Sequence, residues 1–185
     1  NFNYKINSLS KLDSLDIIYV VIASPTSMHE KHLYKINTQL KNSKILVEKP
    51  LFDKQIIKKI NSSNSIYVGY DLRYHPVITK LKKIIHNKKI FSVNVFCGSY
   101  LPNWRSKRNY SKTSSAIKKL GGGVLNDLSH EFDYLNWIFG KTKVLYSYNK
   151  KISNLNINTD DTVLSINQHD KNIISNVTLN YYTRF

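Results

Sequence analysis

Hydrophobic residues change rhythm partway along the chain. The stretch 17–24, IIYVVIAS, is a continuous apolar run of the kind carried by a strand buried on both faces of a parallel sheet. A helix is predicted next, because Ser27, Met28, His29 and Glu30 read as an S-x-x-E capping box, and it should run to about Lys41. A second buried strand is predicted over 44–48, a second helix over 54–60 and a third strand over 65–70. A further helix is expected over 77–86. After it the pattern changes to alternation, with Phe91, Val93, Val95, Cys97 and Leu101 on one side, which describes a half-buried strand of an antiparallel sheet. Three more strand-like segments follow at 144–149, 162–167 and 173–182, the last with Ile173, Val177, Leu179 and Tyr181 in step.

Strands that alternate with helices through short connections imply parallel pairing and right-handed crossovers. The expected fold is therefore α/β. Residues 1–76 should form the C-terminal half of a Rossmann nucleotide-binding domain, and 77–185 an α+β domain with a mostly antiparallel, open-faced sheet. Ligands of such parallel sheets gather outside the carboxyl ends of the strands, which here carry Ser24-Pro25, Glu48-Lys49-Pro50 and Tyr70-Asp71. The polar stretch 102–119 reads as a long loop, and loops of that length are often functional.

The loop leads into 121–137, GGGVLNDLSHEFDYLNW, predicted as one helix. Leu125, Leu128, Phe132, Leu135 and Phe139 fall on one stripe of the helical wheel and should meet a core. Asn126, His130, Asp133 and Trp137 fall on the opposite stripe, with Asp127 between the two and within reach of His130. One face packs and the other is free for chemistry.

Composition narrows this picture. The chain has 185 residues, of which 41% are hydrophobic, enough to bury a real core. It holds no apolar run long enough for a membrane span, and its single cysteine, Cys97, excludes an internal disulfide framework and a thiolate zinc cluster. No metal site is expected, and the protein is expected to be soluble and cytoplasmic. The net charge of +16 comes almost wholly from scattered lysines, with only four arginines and no DNA-binding motif, so no specific nucleic-acid partner is expected. Abundant Lys, Asn, Ile and Tyr match the coding bias of an AT-rich genome. The positive field would still attract anionic substrates. Because the chain starts at Asn1 and stops just after a strand-like segment, it is expected to be a fragment.

Taken together, SPTSMH at 24–29, EKP at 48–50, GYDLRYHP at 69–76 and GGGVLNDLSHEFD at 121–133 resemble the Gfo/Idh/MocA family, the glucose-fructose oxidoreductase and inositol dehydrogenase relatives. The resemblance implies hydride transfer between NAD or NADP and a sugar, polyol or similar hydroxy or keto substrate. It implies that Lys49 lies between nicotinamide and substrate, where an ammonium would stabilise a developing alkoxide, and that the Lys49-Pro50 bond is cis. His130 matches the family's acid/base histidine, with Asp127 as its orienting carboxylate and Asn126 as a substrate-binding amide. Ser24, Pro25, His29, Glu48, Lys49 and Pro50 match the cofactor side. Arg73, Trp104, Arg105 and Tyr110, with Tyr100, are weaker substrate-side candidates, where aromatic rings could stack on a sugar and arginine could hold a carboxylate or phosphate. Asp71 stands where relatives often have Asn or Gln and receives no role. A homo-oligomer built through the open sheet is expected of the intact protein.

One departure is large. No G-x-G-x-x-G occurs in the chain, so its hold on a cofactor pyrophosphate should be weak. A non-catalytic remnant or interaction module that keeps the fold without the cofactor is therefore the competing expectation.

Overall fold

The computed structural model describes residues 17–54, 60, 63–105 and 107–184. It divides between Gly69 and Tyr70 into two compact units. In the first, β1 (Tyr19–Ile22), β2 (Lys44–Val47) and β3 (Ser65–Val68) form a parallel sheet in the order β1-β2-β3. Helix α1 (His29–Gln39) makes the crossover from β1 to β2. Its Leu33 and Ile36, with Leu40 just beyond, recur at helical spacing and bury against Ile22, Ile45 and Val47. Each such side chain contributes roughly 1.5–3 kcal/mol.

Two expectations change here. Tyr19 and Val21 are 53% and 49% exposed, so β1 is covered on one face only among the described residues. Helix α1 starts at His29 after a 3-10 turn at Thr26–Met28, and its N-cap is Met28, without a side-chain cap. Ser27 therefore does not open it as a capping box, and Glu30 pairs with Lys54 at 3.5 Å instead. The helix expected over 54–60 lies almost wholly outside the described residues.

In the second unit, helix α2 (Pro76–Ile85) begins with proline at its first position and His75 as N-cap, the imidazole accepting from the Val77 amide at 3.3 Å. Strands β4 (Ser92–Gly98), β5 (Lys143–Lys150), β6 (Thr162–Gln168) and β7 (Ile174–Asn180) form one sheet in the order β4-β7-β6-β5. The β5-β6 and β6-β7 pairings are antiparallel, but β4 runs parallel to β7. Alternation could not reveal this, because it records which face a residue takes and not the direction of its neighbour. Val177, Leu179 and Tyr181 are buried with Leu101, Val124, Leu135 and Val163 in one core. The other face, with Phe96, Tyr146, Leu164 and Ile166, is open.

The expected single helix at 121–137 is broken into α3 (Val124–Asp127) and α4 (His130–Phe139). Leu128, at φ −101 and ψ 29, interrupts it, and Leu125 is 36% exposed rather than in the core, while Val124 is fully buried. The stretch 102–119 is not structureless either. It folds through 3-10 turns at Tyr110–Lys112, Ser114–Ala116 and Lys118–Leu120. Among the described residues, no helix is long and apolar enough to cross a membrane.

Candidate active site

Parallel pairing puts the carboxyl ends of β1 and β2 on one edge of the first sheet. The loops that leave it are tied together by His29. Its ring is 1% exposed, with Nδ1 3.0 Å from the Pro50 carbonyl and Nε2 2.8 Å from the Ser24 carbonyl. Carbonyls only accept, so whichever ring nitrogen carries the N–H donates to its carbonyl. His29 is thus no solvent-facing residue of a first helical turn but a staple between 24–25 and 48–50. His32 Nδ1 lies 3.0 Å from the Ser24 hydroxyl, and burial, helped by Lys31 and His29, lowers the His32 pKa. The Lys49-Pro50 bond is cis, and Lys49 and Pro50 are half-buried at the sheet edge, beside an exposed Glu48.

The second unit holds the other predicted cluster. Gly123 opens α3 at φ +121, and a Cβ there would lie 2.2 Å from Asp160 Oδ1. That approach lets Asp160 accept the Leu125 amide at 2.9 Å through Oδ2 and the Val124 amide at 3.1 Å through its carbonyl. Burial raises the Asp160 pKa against the bond from Leu125. Gly122 is equally constrained, since a Cβ would sit 2.0 Å from the Ser114 carbonyl. The glycine triplet is a docking surface for two other segments.

At the break between α3 and α4 the Ser129 hydroxyl donates to the Asn126 carbonyl at 3.0 Å, and His130 starts α4. The His130 side chain is 17% exposed, its Nδ1 is buried, and its Nε2 lies 3.6 Å from Asp71 Oδ1. The Tyr70 ring meets the imidazole edge-on, 5.6 Å between centroids. Arg73, in the same turn as Asp71, donates to Asp133 of α4 through Nε at 2.8 Å and Nη2 at 2.6 Å. A fork of this kind fixes orientation as well as distance. The 3-10 turn at Asp71–Tyr74 is thereby clamped onto α4.

Asp127 is differently engaged. Its Oδ2 accepts from the Tyr181 hydroxyl at 2.5 Å, and Tyr181 is fully buried. Burial first, and Asp127 second, push the Tyr181 phenol far above its ordinary range. Asn126 donates to the Gly121 carbonyl at 3.0 Å and lines a cavity of about 390 Å³ with Tyr70, Ser129, Asp133, Asn136 and Thr142.

The profile described as the GFO/IDH/MocA C-terminal domain matches residues 78–185, more than half of the chain. The chain belongs to the Gfo/Idh/MocA family. An uncharacterized oxidoreductase of Synechocystis is 26% identical over 152 residues, covering 77% of this chain and 40% of the relative. The chain thus spans well under half the length of that relative. An oxidoreductase from Thermotoga maritima superposes with a TM-score of 0.80 at 19% identity, over 97% of this chain and 57% of that one. The WlbA dehydrogenase of Bordetella pertussis, solved with NADH and UDP-GlcNAcA, gives 0.77 at 18% identity, over 95% and 55%. At these identities the solved structures establish the α/β fold.

Within the Gfo/Idh/MocA framework, the substrate-side candidates separate. Arg73 is committed to Asp133. The Tyr110 hydroxyl accepts the Asn156 amide at 3.0 Å and the ring packs on the core, so Tyr110 fastens its loop. Tyr100 is occupied by Arg184, which donates to its hydroxyl at 2.6 Å. Trp104 donates to the Ser99 hydroxyl at 2.6 Å and keeps 37% of its surface exposed, and Arg105 is exposed. Asp71, which the family pattern left without a role, is the carboxylate beside His130. Its signal was available in its position, directly after the strand over 65–70 that is predicted to end at a ligand edge.

Proposed function

We propose that the intact protein transfers hydride between NAD or NADP and a sugar, polyol or similar hydroxy or keto compound, with residues 1–76 as its partial nucleotide-binding domain and 77–185 as its partial substrate domain. The observation that carries the reading is the half-buried His130 imidazole at the start of α4, its Nε2 3.6 Å from the Asp71 carboxylate. In this reading His130 takes the substrate hydroxyl proton at Nε2 during oxidation and returns it during reduction. An opposite charge at ion-pair distance favours the imidazolium so formed, which is the part Asp71 plays. Asp127, predicted as the orienting carboxylate, instead secures α3 through Tyr181. Asn126 and Trp104 face the substrate.

The cofactor side fits in part. Ser24, Pro25, Glu48, Lys49 and Pro50 leave the carboxyl edge of a parallel sheet, the place where such ligands bind, and His29 holds their loops in register. When bound, the nicotinamide supplies a hydride acceptor or donor. The Lys49 ammonium would stabilise the alkoxide that develops as the proton leaves. The absence of G-x-G-x-x-G leaves the pyrophosphate without its usual cradle in this chain. The second reading is a non-catalytic module that keeps the fold without the cofactor. The open sheet face supports self-association of the intact protein.

Titration with NADH up to roughly millimolar, the upper range of ordinary KM values, separates the two readings. A saturable rise in nicotinamide fluorescence that Lys49→Ala weakens supports the enzyme; a flat response excludes independent activity of this chain, and the same flat response in a version extended upstream through G-x-G-x-x-G supports the module. In a version extended upstream through a G-x-G-x-x-G segment, His130→Asn should lower turnover by about 10²–10⁴-fold. Undiminished turnover would remove His130 from the mechanism.

A further inference from the structure

The segment between Leu101 and Leu120 carries a charge imbalance that the site above does not use. No Asp or Glu occurs between Asp71 and Asp127, and within that stretch Arg105, Lys107, Arg108 and Lys112 fall close together. Lysine is common throughout the chain and argues little. Arginine is not: there are four. Arg73 is held by Asp133, and Arg184 lies 4.1 Å over the Tyr100 ring while bonded to its hydroxyl. The other two, Arg105 and Arg108, are exposed, and among the described residues no ion pair reaches them.

Two concavities share these guanidinium groups. One, of about 470 Å³, is lined by Arg105, Arg108 and Lys112 with Asn109, Thr113 and Ser114. The other, of about 430 Å³, adds Trp104 and Lys107. Neighbouring like charges repel, and a multiply charged anion between them removes the repulsion. Four cations exceed what one carboxylate needs, and guanidinium forks match phosphate oxygens. Trp104 is held by the bond to Ser99 and by edge contact with Tyr181, 5.3 Å between centroids, so its ring is already positioned. The groove is also fastened to the site. Ser115, next to Ser114, accepts the Gly123 amide at 3.1 Å, and Gly123 opens α3, which carries Asn126.

We propose that Arg105 and Arg108 bind the phosphate or diphosphate of a phosphorylated or nucleotide-linked sugar, with Trp104 stacking on a ring of the same ligand. This rests on residues 77–185 being the substrate domain, but its test involves neither turnover nor hydride. Calorimetric titration is done with uridine 5′-diphosphate, inorganic pyrophosphate and uridine at about 0.15 M salt, where the Debye length is ~8 Å and diffuse attraction is largely screened. The diphosphates should bind and uridine should bind at least about tenfold more weakly, the loss expected for charge-assisted bonds. Arg105→Gln with Arg108→Gln should weaken uridine diphosphate by a similar factor. A control pair remote in sequence and equal in charge, Lys141→Gln with Lys143→Gln, should change it less than about twofold.

Equal losses in both pairs, or no preference for the diphosphates over uridine, would overturn the proposal. Competition by NAD⁺ would reassign the groove to cofactor phosphates, and tighter, steeply salt-dependent binding of a single-stranded oligonucleotide would reassign it to nucleic acid. Either result overturns it too. Diphosphate binding in an upstream-extended chain that ignores NADH would leave the groove intact and count against the hydride-transfer reading alone.

Discussion

The sheet edge around His29 and the helix start around His130 hold the same side chain in opposite circumstances. His29 is enclosed, and both ring nitrogens face backbone carbonyls that belong to loops twenty or more residues apart. His130 keeps one nitrogen inward and turns the other toward a carboxylate that is 83% exposed. A fixed acceptor makes an imidazole a structural tie. An exposed, charged acceptor leaves it able to exchange a proton. Burial and the chemistry of the partner together separate the two residues.

The largest expected effect tests that contrast directly. His29→Ala removes a buried ring that lies within hydrogen-bond distance of two loops, and should cost about 2–4 kcal/mol of the first unit's stability. His130→Ala should cost under about 1 kcal/mol, since its partner is exposed. Both tryptophans, Trp104 and Trp137, lie in the second unit. Urea unfolding of His29→Ala should therefore show an earlier loss of far-ultraviolet circular dichroism with the tryptophan transition little changed. Equal costs for the two histidines would dissolve the contrast. Next in size, Tyr181→Phe deprives Asp127 of its partner and should cost about 1–3 kcal/mol, reported by Trp104, which packs on Tyr181. A neutral result there would leave Asp127 available for the orienting role first expected of it.

Much of this was legible in the order of residues. Strand-helix alternation placed β1, β2 and β3, and the in-step apolar residues of 173–182 marked the inner face of β7, because both depend on periodicity within one segment. What escaped depends on partners far along the chain. The break before His130 lies between two long-range contacts, Asp160 receiving the start of α3 and the Arg73–Asp133 fork, which spans sixty residues. The same holds for the parallel pairing of β4 with β7. His29 was recognised as part of the loop edge but not as its tie, since its two acceptors are backbone atoms that no residue type announces. Asp71 was passed over because family pattern, rather than distance, set its role.

A smaller effect sharpens the His130 side of the contrast. Arg73→Ala removes the clamp between the turn at Asp71–Tyr74 and α4, and because Arg73 is 39% exposed the stability cost should be only about 1 kcal/mol. The informative readout is the set of His130 ring resonances at fixed pH. Asp71→Asn should move them, and Arg73→Ala should move them less. Unchanged resonances in both variants would mean that the carboxylate at 3.6 Å is a bystander.

The smallest effect concerns a third histidine, which belongs with His29 rather than His130. His169 is 4% exposed, with Nδ1 3.0 Å from the Thr142 hydroxyl and Nε2 2.8 Å from the Ser175 hydroxyl, on a polar inner face that also holds Ser165 and Asn167. Burial lowers its pKa from 6.5, opposed by the Gly140 backbone and Asp170. Below pH 6.5 the unfolded chain therefore binds a proton that the folded chain refuses, so folding stability from this group is present above that value and declines as pH falls toward the folded pKa. Unlike a carbonyl, a hydroxyl can donate or accept, so the neutral ring is satisfied at both nitrogens. His169→Gln should flatten the slope of unfolding free energy against pH just below 6.5 while leaving any diphosphate binding unchanged. If the slope persists in that variant, the lowered-pKa group lies elsewhere, His32 being the other candidate, and the buried polar face would be indifferent to protons.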